Sequence, residues 1–284
     1  MKFKAYAKIN LGLHVLGKRA DGYHNIETVF RLIDLYDDLE IVQADEGTHF
    51  SCNNPELLND NTNLCIRAAT LLRDVTGTHM GAEISLTKRI PIAAGLGGGS
   101  TDAAAALTGL TKLWSLEISV EELQTISASL GSDVPFFFQG LSAYATGRGE
   151  ILEPFNLSIP YSILIVTPRI RVSTSWAYSQ FTSKKKEKRP DLKKLLASSI
   201  NDSKALSREL VNDFEEPVFR KHPEIRELKE NLLKEGAVFA LMSGSGSSVF
   251  GFFTQPSMAI DLGMRLSDRY FTSVSGPTFK PEFN

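Results

Sequence analysis

The chain has 284 residues, 42% hydrophobic and 23% charged, with 31 Lys+Arg against 33 Asp+Glu for a formal net charge of −2. This predicts about two domains, excludes a disordered chain and argues against a general nucleic-acid binder. Two cysteines, Cys52 and Cys65, exclude a disulfide framework and a four-cysteine zinc site, and read as buried, reduced thiols.

The opening Met-Lys-Phe-Lys leads into an alternating segment without an apolar signal core. No apolar run approaches the ~20 residues that span a bilayer. The expectation is a cytoplasmic protein with no membrane and no nucleic-acid partner. Residues 2–13 and 27–43 alternate like strands, around a polar stretch from Gly17 to His24. A helix fits 61–76, with Leu64, Ala68, Leu71, Leu72 and Val75 on one face, and a strand fits 82–88. A glycine-rich run then opens an Ala-rich helix to about Trp114, and a further helix at 120–130 should end at Gly131 as its C′ residue. In the second half, strands at 162–167, 238–242, 248–253 and near 271–275 alternate with helices, the last two at 224–235 and 257–268. That order is the split βαβ arrangement. The fold class expected is α+β in two domains, 1–154 and 155–284. The run Lys184–Arg189 reads as an exposed loop.

Gly95–Gly99 holds four glycines in five positions directly before a helix. Without Cβ atoms the backbone N–H groups approach a ligand closely, and a helix N-terminus adds free donors and partial positive charge. Phosphate binding is one reading, and a flexible turn with Ser100 or Thr101 as N-cap is the other. The loop is neither a Walker A sequence, which needs Gly-Lys-Ser/Thr, nor a dinucleotide fingerprint, since Ser100 stands where its third small residue belongs. A cation must therefore come from elsewhere in the fold.

Three separated segments resemble the GHMP kinase superfamily: Tyr6–Leu11, Pro91–Ala104 with its Pro-x-x-x-Gly-Leu-Gly, and Met242–Phe250 around Ser243-Gly244-Ser245-Gly246. Within it, Arg19-Ala20-Asp21-Gly22-Tyr23-His24 and Gly131-Ser132-Asp133-Val134-Pro135 resemble the branch that phosphorylates 4-diphosphocytidyl-2-C-methyl-D-erythritol. The resemblance implies an N-terminal domain like ribosomal protein S5 domain 2 and a ferredoxin-like C-terminal domain. It implies ATP as donor, Mg²⁺ as cofactor, and transfer to the 2-hydroxyl of that acceptor, a step of the non-mevalonate isoprenoid route. Kinases of mevalonate, homoserine or sugars are alternatives that lack the Arg19–His24 segment. A ligand-sensing protein on a kinase scaffold is another.

By itself Asp133 could be a turn carboxylate, and Lys8 could point to solvent. The resemblance makes Asp133 the base for the acceptor hydroxyl and Lys8 its neighbour in the cleft. It assigns Pro91, Ile92, Ala93, Ala94, Gly95, Leu96, Gly97, Gly98, Gly99, Ser100 and Thr101 to ATP. Ser100 or Thr101 is a candidate magnesium contact. Asp102 is either a metal carboxylate or a helix cap. Asn10 shares the Lys8 face of its strand and could bond substrate hydroxyls. Tyr23 and His24 are implied to recognise cytosine, and Tyr178 to close the other side of the base, with Trp176 as a rival. Gly244-Ser245-Gly246 should bring second-domain backbone to the substrates.

Overall fold

A computed structural model describes residues 1–57, 59–181 and 189–282. The first half contains β1 (Lys2–Lys18), β2 (His24–Ala44), β3 (Thr48–Cys52), α1 (Leu64–Thr76), β4 (Gly81–Thr87), α2 (Gly98–Leu113), α3 (Val120–Ser127), β5 (Ser142–Thr146) and β6 (Ile151–Pro154). The second contains β7 (Ser162–Thr167), α4 (Thr174–Ser179), α5 (Leu192–Ser199), α6 (Ser203–Glu209), α7 (Glu215–Lys221), α8 (Pro223–Lys234), β8 (Phe239–Met242), β9 (Val249–Phe253), α9 (Pro256–Leu266) and β10 (Phe271–Ser275).

β1 to β6 form one sheet in the order β3-β4-β2-β5-β6, with β1 paired to β2. β1 and β2 make an antiparallel hairpin from Lys2↔Glu40 to Lys18↔His24, with register shifts that include one between Asn10 and Leu13. Both strands outrun the sequence expectation, because the pairing continues past these irregularities and leaves only Arg19–Tyr23 as the turn. Gly12 sits in the shift at φ 79°, a backbone that a side chain would strain. The second sheet runs β10-β7-β9-β8, antiparallel throughout. With α8 and α9 on the connections this is the ferredoxin-like βαββαβ order, as expected.

The two sheets share one core. Ala7, Ile9, Leu11, Val29 and Ile33 of the hairpin pack in the same cluster as Ile163, Ile165, Phe239 and Phe250. A second cluster buries α1 and α2 against β3 and β4, and Ala103, Ala106 and Leu107 lie in it. Small alanines on α2 let the helix approach the sheet closely.

Some expectations need correcting. α3 ends at Ser127, not Leu130: i→i+3 bonds from Ser129 N–H to Ile126 O and Leu130 N–H to Ser127 O tighten the chain into turns. Gly131 has no left-handed φ and is not a C′ residue. Cys65 is buried but Cys52 only half-buried, both free thiols. Lys184–Lys188 lie outside the described residues. Arg189 is described, and its guanidinium pairs with Asp213.

Candidate active site

The loop between β4 and α2 takes left-handed backbone at Ala93, Gly95 and Gly97, with φ of 54°, 79° and 71°. A Cβ on Gly95 would lie 2.1 Å from Ser243 O, and one on Gly97 3.0 Å from Lys8 Cγ. Glycine is favoured at both by conformation, and at Gly95 it is required by space as well. Neighbours pin the loop: Lys8 N–H donates to Leu96 O at 3.0 Å, Ser248 N–H to Ala94 O at 3.1 Å, and Ser243 Oγ to Gly95 O at 2.9 Å. The N-cap of α2 is Gly97, with no side-chain cap. Ser100 and Thr101 therefore lie inside the first turn and do not cap it. The N–H groups of Gly98, Gly99 and Ser100 have no acceptor within the helix and supply an anion cradle.

A cleft of about 310 Å³ is lined by every residue from Pro91 to Ser100, together with Lys8, Asn10, Asp133 and the Gly244-Ser245 backbone turn. Thr101 is excluded from it: one helical step beyond Ser100, it is buried and faces a different cavity, beside Phe137 and Phe138. Ser100, not Thr101, is the hydroxyl presented to the cleft. Asp102 is neither cap nor open carboxylate, since it is buried and paired with Lys88.

Lys8 is 3% exposed, its ammonium 4.8 Å from the Phe30 ring centroid. Its Nζ lies 3.1 Å from Asp133 Oδ2 and donates to Asn10 Oδ1 at 2.7 Å. Asn10 in turn donates through Nδ2 to Thr28 Oγ1 at 3.0 Å. The Asn10 amide thus holds Lys8 and also lines the cleft. Asp133 immediately precedes a 3₁₀ turn, Val134–Phe138, started by Pro135, and its side chain remains about one-third exposed (32%). A buried ammonium thus stands beside a part-exposed carboxylate that a substrate can reach.

Asp133, Ser100, Arg148, Thr174 and Tyr178 also line a second cavity, of about 590 Å³, walled by Lys18, Gly22, Tyr23, His24, Ser175 and Ser179. The two spaces meet at Asp133. The turn before Tyr23 is built by its own polar residues: Arg19 Nε donates to Asp21 Oδ2 at 3.0 Å, and Tyr23 N–H to Asp21 Oδ1 at 3.1 Å. Arg19 and Asp21 therefore shape the tip, and Tyr23 and His24 are what it presents. Tyr23 is 55% exposed, and the Arg148 guanidinium lies 4.8 Å from its ring centroid. The ring parallel to Tyr178 is His24, at 5.2 Å and 19°, not Tyr23. Burial, then the charge of Lys18, lowers the His24 pKa, so its imidazole is neutral at pH 7. Trp176 packs beside Lys221 and His222 and lines neither cavity, which leaves Tyr178 as the aromatic at this position.

Sequence reasoning missed Lys88, Arg148, Thr174 and Phe214 as lining residues. Arg148 carried a signal: it stands between Gly147 and Gly149, at φ 69° and 112°, in the tight turn after β5 that aims it inward.

Residues 63–141 match the family model described as GHMP kinases N terminal domain, and residues 190–269 the model described as GHMP kinases C terminal. The chain is 47% identical over 277 residues to the 4-diphosphocytidyl-2-C-methyl-D-erythritol kinase of Prosthecochloris aestuarii (strain DSM 271 / SK 413), covering 96% of each chain. It is similar to a crystal structure of 4-(cytidine 5'-diphospho)-2C-methyl-D-erythritol kinase, at TM-score 0.82 and 36% identity, covering 97% of this chain and 98% of that one. A homoserine kinase structure from Cytophaga hutchinsonii, at TM-score 0.70, 19% identity and coverage of 95% and 94%, shares the fold.

Proposed function

The chain belongs to the GHMP kinase family, and from that premise we propose that it transfers the γ-phosphoryl group of ATP to the 2-hydroxyl of 4-diphosphocytidyl-2-C-methyl-D-erythritol. The observation that carries this reading is the Lys8–Asp133 pair at the junction of the two cavities. One cavity has the backbone donors that phosphates need. The other has the aromatic and polar groups that a base needs.

The triphosphate lies against Gly95–Ser100, its charge facing the first turn of α2. Cytosine lies among Tyr23, His24 and Tyr178, and Arg148 supplies a cation for the diphosphate between base and alcohol. The 2-hydroxyl then meets Asp133, which orients it and accepts its proton as the oxygen attacks the γ-phosphorus and the bond to ADP breaks. Lys8 stabilises the charge on the transferring phosphoryl oxygens. Asn10 keeps the ammonium on that line. Magnesium belongs to this reading. Among the described residues no group of three or more His, Cys, Asp or Glu could hold a metal ion, which fits an ion held by phosphates and water with the Ser100 hydroxyl as protein contact. When bound, it neutralises phosphate oxygens.

The same reading takes residues 1–154 and 155–284 as the two domains, supported by the change of sheet between Pro154 and Ser162. A cytoplasmic location is also part of it. No helix among the described residues is long and apolar enough to cross a membrane.

The test is incubation with ATP, Mg²⁺ and the acceptor, followed by mass spectrometry and phosphorus NMR. One added phosphate on the 2-hydroxyl is expected. Phosphorylation of mevalonate or homoserine instead, with this acceptor untouched, overturns the reading.

A further inference from the structure

Beneath the glycine loop lies an ion cluster that the transfer chemistry does not use. Lys88, just after β4, donates from Nζ to Asp37 Oδ2 and to Asp102 Oδ2, each at 2.6 Å. Asp37 Oδ1 accepts the backbone N–H groups of Arg89 at 2.5 Å and Ile90 at 2.8 Å. The three side chains are 4%, 0% and 4% exposed. Asp37 and Lys88 hold the segment that enters the loop, and Asp102 belongs to the helix that leaves it. The cluster therefore ties together the two ends of the loop.

Buried ion pairs are poor stabilisers compared with apolar packing, because desolvation offsets their attraction. What this one fixes is position. A Cβ on Gly98 would lie 2.9 Å from Lys88 Nζ, so the ammonium sits directly under the residue that opens the anion cradle. Lys88, Gly98 and Asp102 all line the nucleotide cleft, and none of them lines the acceptor cavity. One ammonium facing two carboxylates leaves a proton to be placed. Asp37 Oδ1 has two backbone donors, whereas Asp102 Oδ1 has no partner. Burial first, with the Asp37 charge, pushes the Asp102 carboxyl up to about 8. The proton therefore rests on Asp102 at pH 7.

We propose that Lys88, Asp37 and Asp102 are positioning residues for ATP, a buried clamp that fixes both ends of the phosphate loop and leaves acceptor binding untouched. This rests on reading the loop as the ATP site. The test measures KM for both substrates, kcat and thermal unfolding in three full-length variants. Lys88→Met should raise KM for ATP about tenfold or more, with acceptor KM within about twofold, since misplacement by about 1 Å is costly at a reacting centre. Asp102→Asn keeps a neutral oxygen for Lys88 and should leave KM for ATP within about threefold of wild type. Lys88→Met/Asp37→Asn removes the buried carboxylate left unpaired and keeps an oxygen for the Arg89 and Ile90 N–H groups, so Tm should recover while KM for ATP stays high. If Lys88→Met does not fold, the double variant carries the test. Unchanged KM for ATP, equal rises in both KM values, or recovery of KM together with Tm overturns the clamp. Wild-type protein that binds no ATP by calorimetry overturns the loop reading instead.

Discussion

Between Pro91 and Gly97 the backbone is held from three directions, by Lys8, Ser243 and Ser248, in a shape that two glycines make possible. Beyond Asp133 the walls are side chains: a half-exposed Tyr23 on a hairpin tip, His24 stacked on Tyr178, and an arginine over Tyr23. The first region is formed before any ligand arrives. In the second, the His24 and Tyr178 faces cover one another, so a base lies outside that pair or enters only as it opens. A donor common to many kinases needs only charge and backbone donors. A particular acceptor needs side chains, and those stand on the hairpin tip, at the start of β2 and on α4.

The largest expected effect lies where the regions meet. Asp133→Asn keeps shape and loses the base, and kcat should fall about 10²–10⁴-fold with both KM values largely kept. Pre-steady-state kinetics checks this, and near-normal kcat would remove Asp133 from the mechanism. Lys8→Met should also lower kcat. The double variant should be less damaged than the product of the two, because the pair acts as a unit.

Next comes the rigidity of the phosphate loop. Gly95→Ala introduces a Cβ 2.1 Å from Ser243 O at φ 79°. Overpacking and left-handed strain together should cost about 2–5 kcal/mol. Thermal unfolding and ATP titration should both register it. A variant with wild-type Tm and ATP affinity would show that the loop adapts and is no more rigid than the acceptor wall.

What the sequence made legible divides along the same line. The glycine loop and the βαββαβ order were readable as a local pattern and a run of elements in chain order, whereas Lys8 and Asp133 stood out only through the family resemblance. Lys88 was readable by neither route. Its partners Asp37 and Asp102 lie 51 and 14 positions away, and only the fold brings them together. Thr101 and Ser100 could not be told apart either, since the choice turns on which face of α2 meets the cleft. At the acceptor cavity the residue types were visible, but the pairing of Tyr178 with His24 depends on how α4 sits against the hairpin tip.

A smaller effect tests the side-chain wall. Tyr23→Ala should weaken acceptor binding by about 1–3 kcal/mol, the range for lost base stacking, and Tyr23→Phe should cost much less. ATP affinity should be unchanged in both. Calorimetry gives the two Kd values separately. Loss of ATP binding with acceptor binding intact would move Tyr23 to the nucleotide side.

The smallest effect concerns which base is chosen. At 5.2 Å the His24 and Tyr178 rings are closed on each other, whereas two stacked spacings around an inserted base need about 7 Å. The base therefore lies outside this pair, or enters only as the pair opens, and His24 meets its edge. A neutral imidazole offers one donor and one acceptor, and cytosine and uracil present opposite patterns along that edge. His24→Ala should narrow the preference for the cytidine acceptor over its uridine analogue by about 1 kcal/mol, the net worth of one hydrogen bond. The pKa of His24 lies below 6.5 because burial, then Lys18, disfavours its charge. Acceptor affinity should therefore fall on acidification, beginning below the ordinary histidine range, as protonation turns the ring acceptor into a second donor. Affinity that rises on acidification would make the imidazolium the binding form, and selectivity would then come from Arg148 and the backbone rather than from this ring.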